Sequence, residues 1–300
     1  MALDGARVRS HFEVLAARLG VGVETAALGV IQVANAAMSR ALRHISVERG
    51  YDPADFALLS FGGAGGLHAC ALADALGMKS VLIPRFPGAF SALGLALAET
   101  RREFALPLSA ADMNLAETPQ ARAWMEARFA ALEAQAASLA ERDESTSAPL
   151  QITRLLELRY IGQAFDLRVP VVGGNDIRAT RAAFHRAHKA RYGHSDPREA
   201  VEAVALRIVT ARKNTRPLPA ADLPAVPGQP VGLTPLYGEA GWQEVPVFLR
   251  ETLAAGQSLL GPAIVLQPDA TTFVAPAWQG VVDAHANLAL TPRDAGEEAL

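Results

Sequence analysis

Half of the 300 residues are hydrophobic and a fifth are charged, an ordinary globular composition long enough to bury a sizeable core in two domains or in one domain with an appendage. A formal net charge of -3 gives no general pull toward nucleic acid or an anionic membrane, and the single cysteine, Cys70, excludes an internal disulfide. No apolar stretch reaches the ~20 residues of a membrane span and the opening MALDGARVRS has no apolar signal core, so the expected location is the cytoplasm.

Two helices are expected first, over Asp4–Gly20 and Thr25–Gly50. The second carries Ala27, Ile31, Ala34, Met38, Ala41 and Ile45 at helical spacing, a stripe expected to pack on a sheet or another helix, with Asn35 beside it as a satisfied core amide. Phe56–Phe61 then reads as a short buried strand, because it is apolar and bounded by breakers. The glycine-rich turn Gly62-Gly63-Ala64-Gly65-Gly66 follows, then a helix over Leu67–Leu76 stopped by Gly77, then a strand over Val81–Ile83 closed by Pro84. This is a βαβ unit, whose strand-to-helix turn lies at the edge of the sheet where open α/β folds bind ligands.

Backbone N–H groups and the positive end of the helix dipole at such a turn favour an anionic or hydrogen-bond-accepting ligand. The known glycine templates fail on spacing. Counting from Gly63, His68 stands where a dinucleotide fingerprint needs its third glycine, and no Lys-Ser/Thr pair follows as in a P-loop. The residues therefore leave two readings open, a nucleotide or phosphate cradle of another type and a tight turn without a ligand. His68 stands beside the turn as a possible substrate or phosphate contact. Cys70, in the first turn of the expected helix, reads as a buried structural thiol.

Arg85 to Gly94, with two prolines and two glycines, reads as a loop that could form the far wall of the same cleft. Composition changes at Leu106. A long amphipathic helix is expected over Asn114–Arg142, a polar linker over Asp143–Pro149, and two strands around Gly162-Gln163 within Leu150–Pro170. A helix capped by Asn175 or Asp176 runs to Arg191, its inner face Ala183, Phe184, Ala187 and Ala190, its outer face Arg178, Arg181, His185, His188 and Lys189. His185 and His188 form the one metal-ligand spacing, but with no H-E-x-x-H pattern beside them they read first as part of a solvated basic face. Val201–Thr210 reads as a strand. After a Pro-rich stretch over Pro217–Pro235, short apolar runs at Val245–Leu249, Ala263–Leu266, Thr271–Val274 and Val281–Val282 describe a small β-rich module. No G-x-S-x-G elbow is present, and no catalytic nucleophile or metal ligand is identified.

The run FGGAGGLHACALADALGMKSVLIP followed by PGAFSALGLALAETRREF resembles the hydantoinase A and 5-oxoprolinase family, ATP-dependent enzymes that open cyclic amides, with acetone and acetophenone carboxylase subunits as relatives. The likeness extends upstream to Val33-Ala34-Asn35-Ala36-Ala37-Met38 and downstream to Arg159-Tyr160-Ile161-Gly162-Gln163, Tyr192-Gly193 and Gly261-Pro262-Ala263-Ile264. Gly66 stands where the family usually has proline, which is expected to loosen the turn. The resemblance implies an α/β fold in three parts. Residues 1–105 would belong to the second lobe of an actin-like ATPase, 106–216 to a long helix plus α/β module, and 217–300 to a β-rich carboxyl-terminal module.

The aspartate-rich segments with which the family handles phosphate and metal are absent from this sequence. The resemblance therefore implies a carboxyl-terminal portion of the enzyme, with negligible turnover alone. It further implies ATP with Mg²⁺ or another divalent cation, and an adenosine-side motif at Gly62, Gly63, Ala64, Gly65 and Gly66 with Ser91 and Gly94 nearby. The implied partners are a small cyclic amide, the amino-terminal ATPase lobe and a B-type subunit. A non-catalytic interaction subunit and a ketone carboxylase subunit are the alternatives.

Overall fold

The computed structural model describes residues 4–109, 117–141, 148–215, 217–218 and 220–293. They form two units, Met1–Ala96 with Pro219–Leu300, and Leu97–Leu218. The first unit opens with α1 (Gly5–Leu19), capped by the Asp4 carboxylate accepting from Arg7 N at 3.0 Å, and α2 (Val23–Ile45). Of the stripe expected to pack on a sheet or another helix, Ala27, Ala34 and Met38 are half-buried and Ile31, Ala41 and Ile45 are exposed. Only Ala26 and Ser39 of α2 are buried, whereas Ile31 and Ile45 are exposed and Val33 is 70% exposed. Val30 of the same helix is exposed as well.

The βαβ unit follows as β1 (Leu58–Leu59), α3 (Gly65–Leu76) and β2 (Val81–Ile83), the strands parallel with Leu58 opposite Val81. Where a loop over 85–94 is expected, the chain instead enters α4 (Phe90–Leu97) directly after Pro87-Gly88. Proline and glycine there mark the approach to a helix rather than the whole segment.

The second unit comprises β3 (Thr100–Pro107), α5 (Pro119–Glu141), β4 (Gln151–Tyr160), β5 (Leu167–Pro170), α6 (Ile177–Tyr192) and β6 (Val201–Arg212). Its antiparallel sheet runs β3-β6-β4-β5. Met125 and Phe129 of α5 and Phe184 of α6 meet Leu156, Leu206 and Ile208 of the sheet in one core. The two strands around Gly162-Gln163 and the Asp176-capped helix match expectation; β3 does not appear in the sequence reading, because its charged residues hide an edge strand. The expected helix start at Asn114 and the linker over 143–147 lie outside the described residues.

The chain returns to the first unit with β7 (Gly232–Gly238), β8 (Gly241–Leu249), β9 (Ser258–Leu260), β10 (Ala263–Gln267), β11 (Ala270–Val274), β12 (Trp278–Val282) and β13 (Leu288–Pro292). These strands divide between two sheets. One has the order β11-β10-β8-β7; the other, β1-β2-β13-β12-β9, includes the strands of the βαβ unit, with Ile83 opposite Leu288. The carboxyl-terminal strands are thus joined to the amino-terminal segment rather than forming a module apart. Ala69, Cys70 and Ala73 of α3 pack with Ile83, Val265, Val274, Leu290 and Trp278, and the Trp278 indole N–H donates to Asp74 at 3.2 Å, so this large ring is buried without an orphaned donor.

Candidate functional site

The glycine-rich turn is shaped by contacts with two separate segments. Gly62 adopts φ +91°, a conformation that side chains resist, and its N–H donates to Pro87 O at 2.7 Å, which fixes the lead-in to α4 beside the turn. Gly63 O accepts from Thr271 N at 3.1 Å. Gly66 is buried in the first turn of α3, where a Cβ would stand 2.6 Å from Thr272 Oγ1 and 2.9 Å from Thr272 Cα. The missing side chain admits β11 instead of loosening the turn. Ala64, at the N-cap, gives α3 no side-chain cap, and Gly63 and Ala64 are exposed. The positive end of the helix therefore opens toward solvent through a turn with almost no side chains in the way.

Ser91 and Gly94 lie exposed on α4, whose first residue, Phe90, packs its ring 5.2 Å from that of Phe61. The structure thus brings the turn and the start of α4 together. His68 is half-buried one turn along α3, and its Nδ1 lies 2.7 Å from Asn35 Oδ1. An amide oxygen only accepts, so Nδ1 carries the proton, which leaves Nε2 as the acceptor whenever the ring is neutral. Asn35 is consequently not the core amide expected from its stripe: it is half-buried and orients a histidine at the site. Nothing local in the sequence links the two residues, which belong to different helices.

Cys70 is 2% exposed, with Sγ 3.6 Å from Phe273 O, and burial pushes its thiol up to about 11. At neutral pH it is a protonated core residue.

In the second unit His188 is 2% exposed, not on a solvated outer face as expected, and Ala190 is exposed instead of inward. The His188 ring stands edge-on to Tyr160 at 4.9 Å, and its Nδ1 donates to His194 O at 2.7 Å. Tyr160 Oη accepts from Asp196 N at 3.0 Å and donates to His185 Nδ1 at 2.9 Å. That arrangement needs a neutral His185, and burial, with Arg181 and His188 nearby, holds its pKa below the usual histidine range. The two imidazoles belong to an aromatic hydrogen-bonded cluster. Among the described residues no group of three or more His, Cys, Asp or Glu side chains could hold a metal ion, and no single helix is long and apolar enough to cross a membrane.

Comparison with known proteins matches residues 1–104 to the family described as Hydantoinase/oxoprolinase and residues 112–291 to the Hydantoinase/oxoprolinase C-terminal domain. The caprolactamase subunit alpha of Pseudomonas jessenii is 33% identical over 291 residues, covering 93% of this chain and 41% of that protein. The crystal structure of the ATP-dependent caprolactamase from the same organism is similar with a TM-score of 0.65 at 30% identity, over 94% of this chain and 42% of that one. A nucleotide-free acetone carboxylase structure gives a TM-score of 0.81 at 23% identity, over 98% of this chain and 43% of that one, a likeness of fold. The chain thus spans less than half the length of these relatives.

Proposed function

The chain belongs to the hydantoinase/oxoprolinase family, and from that premise we propose that it is the carboxyl-terminal portion, or a split subunit, of an ATP-dependent enzyme that opens cyclic amides. The observation that carries this reading is the exposed glycine turn at the uncapped start of α3, a backbone surface suited to a nucleotide. In this reading residues 1–105 are part of the second lobe of an actin-like ATPase. Gly62, Gly63, Ala64, Gly65 and Gly66 line the adenosine side of the nucleotide, with Ser91 and Gly94 beside it, and His68 meets substrate or phosphate through Nε2. Bound ATP would supply a phosphoryl group to the amide oxygen, which removes the resonance that protects the carbonyl carbon from water.

The described residues offer no carboxylate cluster for a divalent cation, so its ligands would come from elsewhere in the enzyme. Open apolar side chains, Val14 of α1 and Val33 of α2 among them, support a further covering element, for which we propose the amino-terminal ATPase lobe. A B-type subunit would complete the assembly. Amide opening is favoured over ketone carboxylation because identity is higher to the caprolactamase than to the acetone carboxylase. Without the amino-terminal lobe, this chain is expected to turn over negligibly.

Thermal unfolding with and without millimolar Mg-ATP tests the nucleotide site. A ligand at ~100 times its dissociation constant stabilises by about 2.7 kcal/mol and raises the midpoint by a few degrees. Ala64→Asp puts a charged side chain on the surface proposed for the adenosine side, where it leaves the unliganded helix start as stable or more so while obstructing the nucleotide. The rise is expected in the native chain and absent from the variant. A rise of equal size in both would remove the glycine turn from the site.

A further inference from the structure

The contact between Asn35 and His68 joins two helices that are fixed to each other elsewhere. α2 packs on α3, and Ser39, one turn beyond Asn35, is buried. Two turns along the same helix pair, the Arg43 guanidinium donates to Ala75 O at 2.9 Å. Asn35 Oδ1 thus meets His68 Nδ1 at 2.7 Å from a backbone that is itself held in place, and both side chains are half-buried.

The direction of this hydrogen bond decides what the other side of the ring can do. With its proton on Nδ1, the neutral imidazole presents a lone pair at Nε2. Phosphate oxygens are acceptors too, so a phosphoryl group there would set lone pair against lone pair. A secondary cyclic amide instead offers a ring N–H, a donor fixed in the plane of the amide, and an analogue without that donor leaves the lone pair unpaired. We propose that Asn35 is a positioning residue that makes His68 read the N–H of the cyclic amide, which assigns His68 to the substrate and not to the phosphate. This assignment rests on the reading that the chain handles cyclic amides, and it narrows the contact given there to His68. Without Asn35 the neutral ring could carry its proton on either nitrogen and turn about its side-chain bonds, so the acceptor would face the substrate only part of the time.

Long-range ¹H–¹⁵N NMR of the histidine-labelled 300-residue chain tests the proposal, with the His68 ring assigned among the seven histidines by its loss in His68→Gln. At about pH 8, above the ordinary histidine range, the native chain is expected to show a proton on Nδ1 and none on Nε2; the opposite tautomer overturns the proposal. γ-Butyrolactam and its N-methyl derivative then serve as probes, one with the N–H and one without. The first is expected to shift the Nε2 signal with a dissociation constant at least ~5-fold lower than the second. Asn35→Leu removes the acceptor and should bring this ratio toward parity. A merely structural role for Asn35 would weaken both lactams alike and preserve the ratio, which overturns the proposal. The tautomer and the native ratio stay readable even if Asn35→Leu fails to fold. Inorganic phosphate should leave the His68 signals in place, and a phosphate shift equal to that of the lactam overturns the assignment. No shift at His68 from either lactam overturns the substrate contact together with this proposal, whereas equal affinities of the two overturn this proposal alone. The melting response to Mg-ATP reads the nucleotide site separately.

Discussion

Cys70 sits against β11 with its thiol nearly removed from water, and its raised pKa makes it a stability term with a definite sign. Between pH 9 and about 11 the unfolded chain releases the thiol proton and the native chain retains it, so the unfolded state binds fewer protons and stability falls as pH rises. The loss amounts to about 1.4 kcal/mol per pH unit across that window. Urea unfolding at pH 8, 9 and 10 should show this slope in the native chain and a shallower one in Cys70→Ala; equal slopes would place the thiol in contact with solvent. His188 teaches a related lesson about single residues. A histidine among arginines and a lysine reads as part of a wet face, yet its ring packs against Tyr160 and Tyr192 while its polar nitrogen finds a backbone carbonyl. Burial was compatible with its polarity once the donor had a partner, and no spacing rule reveals that partner.

Among the elements, the fit of β11 onto α3 sets the geometry of the glycine turn. Gly66→Ala should cost roughly 1–3 kcal/mol, because the new methyl group meets the Thr272 backbone as well as its hydroxyl. Gly94→Ala, on α4 with nothing within 4 Å, should gain roughly 0.4–1 kcal/mol from reduced freedom of the unfolded chain. Denaturant midpoints of the two variants check this contrast, and a neutral Gly66→Ala would mean that β11 yields easily. Any residue with a Cβ at this position would meet Thr272 in the same way, so the close approach of β11 goes with glycine here. Most element identities were legible: the punctuation by Gly62, Gly77 and Pro84 placed the βαβ unit, and apolar periodicity placed α5 and α6. Where legibility failed, the cause was tertiary. β3 lacks an apolar run because five of its eight residues face solvent at an edge, α4 is masked by the Pro-Gly pair before it, and the pairing of β2 with β13 joins segments with no local signal in common. The glycine turn was visible in the sequence, whereas its supports, Asn35 behind His68 and Thr271 behind Gly63, were not.

On the scale of the whole molecule, Leu97–Leu218 has its own antiparallel sheet, two helices and an apolar core containing Phe129, Phe184 and Leu206. Expressed alone, residues 97–218 should unfold in a single cooperative transition and retain a near-ultraviolet circular dichroism signal from Trp124 and Tyr160. A gradual melt without that signal would show that the core depends on the rest of the chain. The surrounding unit is discontinuous: β2 awaits β13, and Arg85 N reaches Asn287 Oδ1 across 202 residues. This discontinuity imposes an order on biosynthesis. As the polypeptide leaves the ribosome, the inserted unit can close before the segment that precedes it, and the glycine turn acquires its backing only after β11 has emerged. Until then β2 presents an unpaired edge, so nascent chains stalled after Leu218 should be the form that chaperones hold and that aggregates most readily.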